Sequence, residues 1–379
     1  MEIKDVFITA TSSFFPNRAV GNEEMERYLG MIGEKPSRVK NVILRQNGIK
    51  TRYYALDANQ NITHTNAELA KQSIVRLFNS EEEMLGIEVL TCGTSTPDQL
   101  LPSHASMVHG ETFKHPLEIF SLAGVCLTGM VALKTAYLSI MSGNSYNAVC
   151  STSELVSPVL LSKFFNEELK SKERIENNPV IAFEKDFLRY MLSDGAASVL
   201  LQNECADGGG LKIEWINTIS YANCKPACMY MWADVNTEGR LVSWKDFTGN
   251  EIQEQSVWCI KQNVKLLNEF IVPYFVDAIE KSVKEHNVDA EKVRYVIPHI
   301  SSMYFYNKLA EEITKRGINL PTDKWFTNLT WVGNVGSVAI FAALNELLRT
   351  KPLNKGDQIL LLVPESGRFS YGIALLTAN

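Results

Sequence analysis

Three residues in this chain combine reactive side chains with corresponding positions in a repeated pattern. Cys126 opens the apolar run Val125-Cys126-Leu127-Thr128-Gly129-Met130-Val131-Ala132-Leu133. At a helix start, free N–H groups and the positive end of the dipole favour a thiolate, which is the nucleophile of acyl transfer. A buried, inert cysteine is the competing reading. His299 follows a strand and Pro298, which favours an extended chain entering a loop. That setting suits a general acid/base or an oxyanion donor; a plain surface histidine, as His64 and His286 read, is the alternative. Asn334 stands between Gly333 and Val335 at a second helix entrance. Asparagine is a preferred N-cap, and its amide can also donate into a site.

The elements that must carry these residues repeat. In the first half, a helical stretch over residues 65–78 leads to an apolar strand at 87–91 and then Cys92. In the second half, a helical stretch over 275–285 leads to a strand at 293–298 and then His299. Cys126 lies 34 residues beyond Cys92, and Asn334 lies 35 beyond His299, each at an apolar helix. Those helices stop at Ser142-Gly143-Asn144 and Asn354-Lys355-Gly356-Asp357, where glycine suits the left-handed cap. Buried-type strands follow at 148–150 and 359–363, and closing strands at 194–201 and 371–376. Strands alternating with helices predict an α/β architecture. Two copies offset by about 207 residues predict a duplicated chain with its site at the seam. Residues 1–205 then carry the cysteine, and residues 206–379 the histidine and asparagine. The glycines of Ala206-Asp207-Gly208-Gly209-Gly210 mark the boundary. Residues 163–190, rich in Lys, Glu and Asn, read as a solvated helical excursion.

Composition narrows the chemistry. With 379 residues, 45% hydrophobic and 21% charged, the chain is globular and long enough for two α/β units. A net charge of −6 argues against nucleic-acid binding by whole-surface electrostatics. No apolar run reaches the ~18–20 residues of a membrane span, and Met1-Glu2-Ile3-Lys4-Asp5 lacks the features of a signal peptide. Seven irregularly spaced cysteines predict reduced thiols in a cytoplasmic enzyme. Cys224-Lys225-Pro226-Ala227-Cys228 has no second ligand pair, so no metal is expected. Gly208-Gly209-Gly210 opens no phosphate-binding motif.

Taken in order, these residues resemble the thiolase-superfamily condensing enzymes, and most closely ketoacyl-ACP synthase III. The resemblance runs from Asn47-Gly48-Ile49-Lys50-Thr51-Arg52 through Thr94-Ser95, Pro102-Ser103, the Cys126 helix, Ser193-Asp194-Gly195-Ala196-Ala197, Pro298-His299 and Gly333-Asn334. It ends at Phe369-Ser370-Tyr371-Gly372. It implies a thiolase-like fold, two duplicated α/β halves in a five-layered αβαβα arrangement. It also implies a catalytic triad of Cys126, His299 and Asn334, with an oxyanion hole from the N–H groups of Cys126 and Gly367. The implied reaction is decarboxylative Claisen condensation of an acyl-Cys126 with a malonyl or β-ketoacyl thioester. It belongs to fatty-acid, polyketide or alkylresorcinol-type biosynthesis and uses no metal or redox cofactor. Acyl transfer to an alcohol or amine without decarboxylation, and a silent partner subunit of a heterodimeric synthase, are the alternatives.

Substrates would arrive on acyl carrier protein or CoA. The family's adenine-stacking tryptophan has no counterpart before Gly48, which favours carrier protein for at least one substrate; Lys261, Lys265 and Lys281 are the basic residues proposed to meet it. The resemblance further implies a homodimer, with the strand at 148–150 against its own copy and Leu101 of one subunit closing the partner's acyl pocket. Glu365-Ser366-Gly367-Arg368 departs from the family's glycine-rich turn. It puts Glu365 near the nucleophile, either to tune the site or to pair with Arg368.

Overall fold

The computed structural model describes residues 3–166, 186–205 and 209–379. Among these, nine strands form one hydrogen-bonded sheet: β1 (Phe7–Phe14), β2 (Val89–Thr94), β3 (Glu118–Ala123), β4 (Asn147–Glu154), β5 (Gly195–Gln202), β6 (Leu211–Ser220), β7 (Val293–Pro298), β8 (Gln358–Glu365) and β9 (Ser370–Ala378). Their spatial order is β7-β8-β9-β6-β1-β5-β4-β2-β3. The layers around them come from six helices, α1 (Asn66–Ile74), α2 (His104–Thr112), α3 (Thr128–Met141), α4 (Val264–Glu285), α5 (Met303–Lys315) and α6 (Ala339–Thr350).

The repeat is visible in the pairing. The parallel step β2–β4 recurs as β7–β8. The antiparallel steps β4–β5 and β5–β1 recur as β8–β9 and β9–β6. The outer parallel partner of β2 is β3, whereas β7 keeps only a single bridge, Val296 to Trp325. The two sets of strands meet through just Phe7–Lys212 and Ile8–Leu211. At this narrow junction the sheet turns back on itself. Both α3 and α6 then lie between its halves, α3 against β2, β4 and β6, and α6 against β1, β5 and β7. Outside, α1 and α2 cover the first half, and α4, backed by α5, covers the second. This is the αβαβα layering.

Burial explains why these segments adopt their forms. In α3, Met130, Ala132, Leu133, Ala136 and Ile140 are all buried, as befits an apolar helix walled in by strands. The run Ile359–Val363 in β8 is fully buried because both faces are covered, so its side chains need not alternate. On the outside, Thr65 and Glu68 form a reciprocal capping box that starts α1.

Three expectations change. The strand around 148–150 cannot face a second copy, because β4 is hydrogen-bonded along both edges, to β2 and to β5. The unpaired sheet edge in this half belongs to β3. The helix expected at 275–285 begins at Val264 and runs through Pro273, with Asn263 capping it by accepting from Leu266 N–H at 2.9 Å. Proline removes one helical N–H, yet packing against β8 and β9 keeps the helix continuous. Finally, of the excursion expected at 163–190, residues 167–185 lie outside the described residues, while Phe187, Leu188 and Tyr190 are buried rather than solvated. Residues 206–208 of the expected boundary are also outside the described residues. Among the described residues, no helix is long and apolar enough to cross a membrane.

Candidate active site

Cys126 sits in the turn between β3 and α3, two residues ahead of the first helical residue. Thr128 N–H donates to Val125 O and Val131 N–H to Leu127 O, each at 3.1 Å, which fixes the turn. His299 directly follows β7, and its N–H donates to Leu362 O of β8 at 2.8 Å. Asn334 depends on the residue before it. Gly333 has φ +77°, and a Cβ there would come within 2.9 Å of the Cβ atoms of Arg52 and Ser193. Only glycine meets both demands. Asn334 is then held by its N–H to Met191 O and by Ser193 N–H to its own carbonyl, both at 3.0 Å. Its Oδ1 accepts from Gly336 N–H at 3.2 Å, a local cap, and among the described residues none bonds its Nδ2 amino group. The capping and donor roles of Asn334 therefore coexist.

The seam between the two copies is closed at Gly129. A Cβ on this residue would lie 2.6 Å from the carbonyl oxygen of Ser337, three residues past Asn334. The helices bearing Cys126 and following Asn334 can approach this closely because position 129 carries no side chain.

Cys126, His299 and Asn334 line one cavity. Its far wall is apolar, with Phe187, Met191, Leu192, Met229, Leu267 and Ile271. Burial pushes His299 down to about 4, so its ring is neutral above that pH. Its Nε2 is buried and unpartnered. Burial raises Cys126 well above an ordinary thiol, and the nearby carboxyls of Glu365 and Glu154 raise it further. The direction is opposite to that expected from a helix start, because desolvation and two carboxyls raise the thiol. Among the described residues, no other residue engages the N–H groups of Cys126 and Gly367. Gly367 presses on the nucleophile turn, where an added Cβ would meet Val125 Cγ2 at 3.1 Å.

Glu154 was not singled out in the sequence. This fully buried carboxylate at the end of β4 accepts from Ser95 Oγ at 2.6 Å, Thr96 Oγ1 at 3.0 Å and Ser337 Oγ at 2.6 Å. It also accepts from Ser95 and Ser337 N–H at 3.2 Å, and burial raises its pKa despite these donors. It joins the loop after β2 to the entrance of α6. An acidic residue closing an apolar strand was the available signal. Residues 186–192 carry an apolar signal in Phe187, Leu188, Met191 and Leu192, outweighed by the Lys-, Glu- and Asn-rich residues before them.

Glu365 lies at the nucleophile, its Oε2 accepting from Val125 N–H at 3.1 Å and Leu127 N–H at 3.2 Å. The ion pair with Arg368 is not formed, since Arg368 Nε donates to Lys225 O at 3.0 Å. Leu101 is 86% exposed and is not among the residues lining this subunit's cavity. Lys261 is held by Asp234 at 2.6 Å rather than free for a partner, while Lys265 and Lys281 are exposed on α4.

The comparisons with known proteins agree with this geometry. Residues 283–377 match the family model for the 3-oxoacyl-[acyl-carrier-protein (ACP)] synthase III C terminal. Over 363 residues the chain is 25% identical to a β-ketoacyl-[acyl-carrier-protein] synthase III of Clostridium perfringens, covering 96% of both chains. Its fold is similar to that of 3-oxoacyl-[acyl-carrier-protein] synthase III from Aquifex aeolicus, with TM-score 0.68, 20% identity and coverage of 98% and 99%. It is also similar to OleA of Xanthomonas campestris, with TM-score 0.74, 16% identity and 99% coverage of both chains. The duplicated sheet and the close-packed central helices are those of a thiolase-like fold, and the chain is similar to ketoacyl-ACP synthase III enzymes over nearly its whole length.

Proposed function

We propose that this protein is a condensing enzyme that makes β-ketoacyl products by decarboxylative Claisen condensation, with Cys126, His299 and Asn334 as its catalytic residues. The observation that carries this reading is one cavity shared by a cysteine, an unpartnered neutral imidazole nitrogen and an unpartnered amide group.

In the first half-reaction, Cys126 Sγ attacks an acyl thioester. The new S–C bond replaces the old one, and the thiol proton ends on the departing carrier thiol. The N–H groups of Cys126 and Gly367 are free to hold the tetrahedral oxygen. A malonyl thioester then enters. As CO2 leaves, His299 Nε2–H and Asn334 Nδ2–H hold the carbonyl oxygen on which enolate charge develops. A neutral histidine can fill this role with its one ring proton on Nε2. The carbanion attacks the acyl carbon, the C–C bond forms as the bond to Cys126 Sγ breaks, and the released thiolate takes a proton from water. No step needs a metal or redox cofactor. Simple transfer to an alcohol or amine would have no use for a second pair of donors opposite the acyl group.

The acyl group is read as lying along the apolar wall, and the phosphopantetheine arm as delivered by acyl carrier protein or CoA. A specialised biosynthetic role, for polyketide or alkylresorcinol-type products, fits the replaced turn at Glu365, and the work would be done in the cytoplasm. A homodimer is read from the open edge of β3 and from Leu100 and Leu101, 68% and 86% exposed.

The test is intact-protein mass spectrometry with acyl thioesters, paired with malonyl decarboxylation. Wild type should gain one acyl group that maps to Cys126, and Cys126→Ala should gain none. His299→Ala and Asn334→Ala should still load but lose decarboxylation by roughly 10²-fold or more, as for a lost oxyanion donor. Loading that persists in Cys126→Ala, or decarboxylation at the wild-type rate in either other variant, removes the corresponding role.

A further inference from the structure

The carboxyl group of Glu365 occupies a place where it works against the nucleophile. Its Oε2 takes the N–H groups of Val125 and Leu127, the two residues flanking Cys126, at 3.1 and 3.2 Å. The N–H of Cys126 is left between them, bound to no other residue. Its other oxygen, Oε1, has no hydrogen-bond partner, and Gly124 and Gly367 offer no side chain in between. We propose that Glu365 is a positioning residue with two separable effects: its hydrogen bonds hold the turn that aims Cys126, and its negative charge opposes thiolate formation at Cys126 whenever the carboxyl is ionised. This inference rests on Cys126 being the nucleophile.

The charges around Glu365 leave this coupling uncompensated. Cys126 faces it from the turn before α3. Glu154, from the end of β4, is a second carboxyl and adds to the same repulsion on Cys126. His299 is buried and neutral. Cys228, whose N–H donates to Gly367 O at 2.8 Å, is a buried thiol. Arg368, the cation on the same turn, is committed to Lys225 O, and no ion pair reaches Glu365 among the described residues. Burial raises Glu365 above an ordinary carboxyl against the pull of its two N–H donors. A proton taken up at Oε1 leaves both hydrogen bonds to Oε2 in place. The clamp therefore survives protonation while the repulsion disappears.

The test compares Cys126 alkylation by iodoacetamide in wild type, Glu365→Gln and Glu365→Ala between pH 5 and 9, read by peptide mass spectrometry. The rate ratio of Glu365→Gln to wild type should be near one at the acid end. It should climb with pH to a plateau of roughly 10- to 100-fold, the scale of two like charges a few ångströms apart near a protein surface. The rise traces the titration of Glu365 itself. Glu365→Ala removes the same charge and should show the same rise should the glutamine variant misfold. It should also lose condensation rate relative to Glu365→Gln, because only glutamine retains an oxygen for the two N–H groups. A ratio that stays flat with pH in both variants overturns the charge effect, as a merely structural residue would not produce pH dependence. Equal condensation rates in the two variants overturn the clamp. Failure of wild type to load any acyl group on Cys126 instead sinks the catalytic reading, and the alkylation ratio still reports the coupling separately.

Discussion

Gly129→Ala is the perturbation that most directly tests how the two copies cooperate. The added methyl would lie 2.6 Å from Ser337 O, 3.2 Å from Thr152 Cγ2 and 3.4 Å from Phe341 Cε2. The first contact is with backbone, so it cannot be relieved by turning a side chain. Restoring an ordinary separation requires roughly 0.5–1 Å of movement between α3 and the entrance of α6, in an interior packed without spare room. Overpacking of this kind costs about 1–3 kcal/mol, and replacing a helical glycine by alanine returns up to about 1 kcal/mol. A net loss of roughly 0–3 kcal/mol follows, so the variant should fold and melt at most a few degrees below wild type. Its chemistry should suffer more. Ser337 is anchored to Glu154 through its N–H and Oγ, and Asn334 lies just upstream, so the shift separates Cys126 from Asn334. Misplacement on this scale can cost about 10²-fold in rate. Acyl loading of Cys126 by mass spectrometry should remain within a few-fold of wild type, whereas steady-state condensation should fall ~10- to 100-fold. A variant that melts as wild type and condenses at the wild-type rate would refute the claim that this contact sets the site.

Three further outcomes follow from particular residues. His104 and His299 are both pushed down to about 4 by burial, so below the unfolded value of about 6.5 the unfolded chain binds protons that the folded one does not. Each histidine should remove about 2 kcal/mol of stability by pH 5, partly opposed by Asp194, which burial raises to about 6 and which holds a proton in the folded state. In urea melts His104→Asn should lose about 2 kcal/mol less than wild type between pH 7 and 5; an identical acid loss would show that His104 is not held neutral. Light scattering should give a dimer at micromolar concentration, and a monomer would leave the β3 edge without its expected partner. With the same acyl and malonyl groups, acyl carrier protein should outperform CoA in kcat/KM by roughly ten- to a hundredfold, the scale of one missing stacking contact; equal values would show that adenine binding was not lost with the tryptophan.

What the sequence determined by itself was the repeat and the order of its reactive residues. Local signals carried this: apolar runs of strand length, glycine stops after helices, and matched spacing from Cys92 to Cys126 and from His299 to Asn334. The strand ending at Pro298 was legible to the residue, because an apolar run bounded by a turn is a local property. Which strands have a free edge was not. The pattern of 148–150 is that of a buried strand whether a neighbour or a second copy covers it, and only the pairing shows that β4 is internal and β3 is the edge.

The protonation of the site was likewise beyond the sequence. A cysteine at a helix start argues for a thiolate, but burial and the carboxyls of Glu365 and Glu154, 239 and 28 residues away in the chain, reverse the sign. Desolvation and Coulomb energy depend on distance through space, and chain separation says nothing about that. The apolar wall from Phe187 to Leu192 shows the same limit. The charged residues of 163–190 make the whole stretch read as solvated, whereas at its end Phe187, Leu188 and Tyr190 pack into the core with α4, and Phe187 and Leu188 line the cavity shared with Cys126.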